Sequence, residues 1–154
     1  MFFATSILIL GFLLTEIAAW TAHKYLMHGT MWFFHEDHHR VGEGHFFEKN
    51  DAFFLIFAIP SWLFIMFGIM GGWDWRVWIG FGIAAYGLCY FLVHDVYIHQ
   101  RFKWFKQIDN AYFRAIRKAH KVHHKRHTKE DGECFGLLWI PLKFYKEAFG
   151  RGEN

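Results

Sequence analysis

Nineteen consecutive uncharged residues, Ala52 to Met70, constrain this chain more than any other stretch. As a helix, a run of that length crosses about 30 Å of hydrocarbon, and within a bilayer only helices and closed barrels satisfy the backbone. Two further stretches share its character. Phe2 to Trp20 is interrupted only by Thr5, Ser6, Thr15 and Glu16 and continues toward His28, and Trp75 to Val93 carries one charge, Arg76, at its mouth. Gly71-Gly72-Trp73-Asp74 reads as a turn between spans two and three, Pro60 as a kink point, and Trp73, Trp75 and Trp78 as interfacial anchors. The expected fold is an all-α integral membrane bundle, one domain over residues 1–154, with three spans. Phe135 to Phe149 is the candidate for a fourth, partial insertion, although Pro141, Lys143 and Lys146 argue for an interfacial segment.

Composition agrees with a divided chain. Hydrophobic residues make up 54% and aromatics 22%, yet the remainder is strongly polar and basic. Thirteen of the seventeen Lys and Arg lie between Arg101 and Arg151. By the positive-inside rule, the loop after span one and the C-terminal third face the cytoplasm and the 71–75 turn faces outward. That places the protein in a cytoplasmic (inner) membrane. The long uncharged segments and the absence of any reader motif exclude a nucleic-acid partner. Cys89 and Cys134 are too few for a disulfide framework and read as free thiols, and the first span lacks a basic leader and reads as a retained anchor.

Ten of twelve histidines fall into four motifs: His23 with His28, His35-Glu36-Asp37-His38-His39, His94 with His99, and His120-Lys121-Val122-His123-His124. Positions i, i+3 and i+4 share a helix face, so each triplet projects three imidazoles one way. The i, i+5 pairs are different. On an ideal helix they are rotated by about 140°, so either the helix loosens or the two residues serve different ions. Topology puts all four motifs at one membrane face, forming a cytoplasmic cap. Ten imidazoles exceed one ion's needs and suit two, about five each, which leaves an octahedral metal one open position. His45 and His127 fit no cluster and read as ordinary polar residues.

Imidazole suits iron and zinc alike. Zinc has no redox chemistry, whereas iron with an open position can bind and reduce O2. Glu16 lies two turns before His23 on nearly the same face, as an ionisable residue within a span, and is a candidate for a pocket or ligand-supporting role. Glu36, Asp37 and Asp95 adjoin the motifs as possible imidazole acceptors or as plain solvated charges.

The motifs HKYLMHG (23–29), HEDHH (35–39), HDVYIHQR (94–101) and AHKVHHKRHTKEDGECFG (119–136) resemble those of the bacterial β-carotene hydroxylases, within the fatty acid hydroxylase superfamily of membrane di-iron enzymes. The likeness also takes in Glu16, Asn50-Asp51 and residues 85–88. It implies two irons held by the ten motif histidines, with zinc able to replace iron in purified material. It further implies O2 as cosubstrate, two electrons, and hydroxylation of the β-ionone ring at C3 of a carotenoid drawn from the bilayer. An acyl or sterol hydroxylase or desaturase of the same superfamily is the alternative; a metal transporter would need more polar residues in its spans than Glu16. With no nucleotide or flavin motif and no cysteine cluster, electrons are expected from a separate ferredoxin-type carrier. The basic face of Lys103, Lys106, Arg114, Arg117, Lys118, Lys121, Lys125, Arg126 and Lys129 would dock that carrier, set the topology or bind anionic lipids.

Overall fold

The computed structural model describes residues 2–40, 46–104, 108–130 and 132–150. It is helical throughout, with no strand among the described residues. Helix α1 (Phe2–Thr21) continues as a π-helix over Ala22–Thr30, and α2 (Trp32–His39) follows. A 3-10 turn, Lys49–Phe53, leads into α3 (Phe54–Met70), which runs on through Pro60. Helix α4 (Trp75–Tyr90) likewise continues as a π-helix over Phe91–Ile98. Helices α5 (Ala111–His124) and α6 (Leu142–Phe149) complete the chain.

Three helical stretches are long and apolar enough to cross a membrane: Phe2–Thr30, Lys49–Met70 and Trp75–Ile98. Their apolar side chains mostly point outward, Phe3, Leu13, Leu55 and Trp62 among them, as lipid-facing residues must. Helix α6 has eight residues, about 12 Å, too short for a fourth crossing. It packs instead on α5, and Trp139 before it and Leu142 at its start are exposed, as in an interfacial segment.

Helix α4 packs between α1 and α3. With no hydrophobic drive between helices in lipid, close packing at small residues holds them together. At the α1–α4 crossing, a Cβ on Gly82 would stand 2.4 Å from the Leu8 carbonyl, so only glycine fits. At the α3–α4 crossing Ser61 Oγ donates to the Gly80 carbonyl at 2.9 Å. The 71–74 turn is closed by Asp74, whose carboxylate accepts from Arg76 N at 3.0 Å.

Spans one and three run in the same direction, so their π-helical ends meet at one end of the bundle. The cap forms there. Asn110 starts α5 by accepting from Phe113 N at 3.0 Å. The helix then buries Ala115, Ile116 and Ala119 against Val93, Leu137, Ile140, Phe144 and Ala148. A residue such as Ile116, fully enclosed, contributes about 1.5–3 kcal/mol to holding α5 in place. That matters because the same buried face carries His120 and His123.

Candidate metal centre

The i, i+5 pairs are brought together by the π-helices. Hydrogen bonds from residue i+5 to i, including His99 N to His94 O at 2.9 Å, widen the turn until positions five apart align. The His23 and His28 rings stand 5.3 Å apart, and those of His94 and His99 4.4 Å apart. Of the two options open in the sequence, the helix loosens. Gly29, at φ −117° and ψ −115°, is a non-helical kink near the end of the first π-helix that redirects the chain toward α2.

The imidazoles form two groups. His23, His28, His35, His39 and His123 make the first, and His38, His94, His99 and His120 the second; within each, one nitrogen per ring lies within 4.8 Å of all the others. His124 joins the second group, its Nε2 2.8 Å from that of His120. Each HXXHH triplet is therefore split. Residues i and i+4 go to one group and i+3 to the other, with opposite allegiance in α2 and α5. The rings of His39 and His124 stack at 4.7 Å where the groups meet.

The outward nitrogens fix the tautomers. Nδ1 of His23 donates to the Phe135 carbonyl (2.8 Å), that of His39 to the Arg126 carbonyl (2.8 Å), that of His123 to the Glu133 carbonyl (2.8 Å) and that of His35 to Asn50 Oδ1 (2.6 Å). In the second group, His38 Nδ1 donates to Glu48 Oε2 at 2.7 Å and His94 Nδ1 to Asp95 Oδ1 at 3.2 Å. These oxygens can only accept, so each Nδ1 carries the hydrogen and each Nε2 presents a lone pair inward. The Nε2 atoms of His23 and His35, of His35 and His39, and of His38 and His94 then face one another at 3.1 Å with no hydrogen between them. Only a cation makes such contacts favourable. Neighbouring nitrogens on an octahedral ion with bonds of about 2.1 Å stand about 3 Å apart, so the donor set fits two metal ions.

Electrostatics keep the lone pairs free. Burial, reinforced by neighbouring imidazoles, holds His123 and His124 down to about 2 and His39 to about 4. Burial followed by Arg101 does the same for His99, to about 4. At neutral pH these rings are uncharged and ready to ligate.

The supporting residues only partly match expectation. Asp95 does meet an imidazole. Asp37 does not: its Oδ2 accepts from Lys49 N at 2.6 Å, and Glu48 takes the role on His38. Glu36 pairs with Arg40 at the surface, as a plain solvated charge. Glu16 is buried and bonds no imidazole; it accepts from Tyr86 Oη (2.7 Å) and from the backbone of Leu138 and Trp139 (3.0 Å each) and lines a cavity beside them, the pocket role among its expected ones. His127 bonds the His39 carbonyl through Nδ1 at 3.1 Å and joins neither group. His45 and the glycines at 42 and 44 lie outside the described residues. Sequence reasoning missed Glu48, gave no role to Asn50 beyond its place in the likeness, and missed the organising role of Arg101, which reaches Glu48 (2.6 Å), Asp51 (2.8 Å) and Asp95 (3.6 Å). Two non-glycine residues beside the groups, Gln100 (φ 54°) and Cys134 (φ 64°), hold the left-handed conformation, a strain that concentrates at functional sites.

Comparison with known proteins agrees with this geometry. The fatty acid hydroxylase family matches over residues 8–143. A β-carotene hydroxylase of Pantoea ananas is 42% identical over 126 residues, covering 82% of this chain and 71% of that protein. A β-carotene hydroxylase of a Paracoccus species (strain PC1) is 35% identical over 84% of this chain and 79% of its own. A chloroplastic β-carotene hydroxylase of Capsicum annuum is 37% identical over 80% of this chain but only 39% of its own. No solved structure matches. With four histidine motifs folded into two imidazole groups at the end of a three-span bundle, the chain belongs to the fatty acid hydroxylase family.

Proposed function

We propose that this protein is a membrane monooxygenase that hydroxylates the β-ionone ring of carotenoids at C3, acting as a single domain. One observation carries the reading: two groups of imidazoles, of five and four rings with His124 joining the second, bring their Nε2 atoms together at the end of three lipid-facing spans, in a chain 35–42% identical to bacterial β-carotene hydroxylases. The ten motif histidines would hold two irons, five each. Two irons so held would supply the O2 chemistry of the reaction, in which a C–H bond becomes C–OH and the second oxygen atom leaves as water with two electrons and two protons from outside the chain. The protein holds the ligands in the neutral tautomer, orients them through the outer acceptors and excludes water with a buried cap.

The basic face supports cytoplasmic placement in an inner membrane and an acidic ferredoxin-type donor. The candidate docking patch narrows in the folded protein. Arg114 pairs with Asp109, Lys118 with Glu147, and Arg117 lies over the Tyr97 ring at 3.9 Å. Lys121, Lys125 and Arg126 remain exposed on the last turn of α5 and just beyond, next to His120, His123 and His124. Lys106 lies outside the described residues.

The test is expression in cells that accumulate β-carotene, with extracted pigments separated by chromatography. Mono- and dihydroxylated carotenoids are expected with the native protein and none with His123→Ala. Native protein carrying two irons that leaves β-carotene unchanged but hydroxylates acyl lipids or sterols would move the assignment to the acyl or sterol branch.

A further inference from the structure

Helix α1 grips the segment before α6 at two points. Glu16 accepts the backbone N–H groups of Leu138 and Trp139, both at 3.0 Å, and His23 Nδ1 donates to the Phe135 carbonyl at 2.8 Å. Between these two clips the surfaces do not close. They leave a cavity of about 400 Å³ lined by Glu16, Ile17 and Trp20 on α1 and by residues 134–136 and 139–141 opposite.

Three features give this cavity a direction. Its outer wall, Ile17 and Trp20, lies within the first span, so its mouth faces the bilayer, and the exposed Trp139 sits beside it as an interfacial indole would. The wall is chiefly apolar, and the Glu16 carboxylate is already occupied by two backbone donors and Tyr86. Phe135, one of the lining residues, also touches the first imidazole group. The Phe135 ring stands 5.5 Å from His23, 5.1 Å from His28 and 5.5 Å from His123.

We propose that this cavity receives the trimethylcyclohexene ring of the carotenoid from the bilayer, with Phe135 as the side chain that the cavity shares with the metal centre. The inference rests on the hydroxylase reading above and adds the place where substrate is held. Size agrees: an apolar cavity of about 150 Å³ holds benzene, so 400 Å³ accommodates a six-membered ring with three methyl groups and the start of its polyene. The polyene then leaves past Ile17 and Trp20 along the lipid face of α1.

The experiment uses the whole protein, metal-loaded, in lipid nanodiscs containing β-carotene. Ile17→Trp fills the cavity; Leu13→Trp adds the same indole to another exposed α1 position (51% and 55% exposed in the native chain) outside it. The measured quantities are pigment retained per chain on purification, metal per chain, and KM for β-carotene. Ile17→Trp is expected to lower pigment retention and raise KM at least about tenfold with two metals still bound, whereas Leu13→Trp stays within about twofold of native. Should the indole not be accommodated and metal be lost, Ile17→Phe carries the same test with a smaller group. Equal retention and equal KM in the Ile17 and Leu13 variants overturn the proposal. If the native protein retains β-carotene in an Ile17-dependent way without oxidising it, the cavity stands and the assigned reaction falls; if it retains none, the cavity falls as well.

Discussion

The two imidazole groups use the same ligand but are supported differently. In the first, the outer partners are neutral: the carbonyls of Phe135, Arg126 and Glu133 and the amide of Asn50. In the second, His38 and His94 lean on the carboxylates of Glu48 and Asp95, which Arg101 holds together with Asp51. A carboxylate on Nδ1 raises imidazole basicity and a peptide carbonyl does so less, so the two metal positions are not equivalent. The first is fixed mainly by backbone carbonyls, and the second is an electrostatic site organised by one partly buried arginine.

The largest expected effect comes from the ligands themselves. His123→Ala and His38→Ala should each abolish turnover and lower metal content from two ions per chain to one, the first emptying the backbone-supported group and the second the carboxylate-supported one. His127→Ala, outside both groups, should retain both ions and most activity. Metal analysis beside pigment assays checks this, and loss of both ions in each variant would merge the two groups into one cooperative unit.

Changing an outer partner should cost less. Arg101→Gln is expected to weaken metal binding about 10- to 100-fold at the second group alone, and Asn50→Leu by a similar factor at the first alone. Chelator titration of each variant reads the two affinities, and identical profiles would erase the distinction drawn here.

Acid should separate the groups further. The unfolded chain's histidines take up protons as pH falls below about 6.5, whereas in the fold His39 and His99 stay neutral to about 4. The unfolded state therefore binds more protons between those values, and the stability of the metal-free protein falls as pH drops through that window. Protons compete with metal over the same range. Burial raises Glu48 from its ordinary value, whereas the carbonyl and amide partners of the first group do not titrate, so the support on His38 is the acid-sensitive one and the second group should release its ion at the higher pH. Metal retention followed from pH 7.5 to 4.5 should show two steps.

The smallest effect concerns the carrier. Replacing Lys125 and Arg126 with Glu should slow turnover several-fold under limiting reduced ferredoxin, an effect that rising salt should mask in the native protein. Unchanged rates across the salt series would leave those charges to topology or lipid.

The sequence by itself determined the three spans, since only a helix can carry nineteen uncharged residues through lipid, and it singled out the ten histidines by number and spacing. It also marked the i, i+5 pairs as anomalous. Only the tertiary structure decided that the anomaly is a π-helix, because wider turns at Ala22–Thr30 and Phe91–Ile98 carry no residue signature that Leu26, Met27 or Val96 would betray. Only it divided the triplets: i and i+4 lie about 40° apart around a helix while i+3 and i+4 diverge by about 100°, so a second helix facing the first draws them to different ions. And only it supplied the outer acceptors. His23 finds a partner 112 residues away and His39 one 87 residues away, both main-chain carbonyls, a group every residue possesses and no sequence pattern can mark.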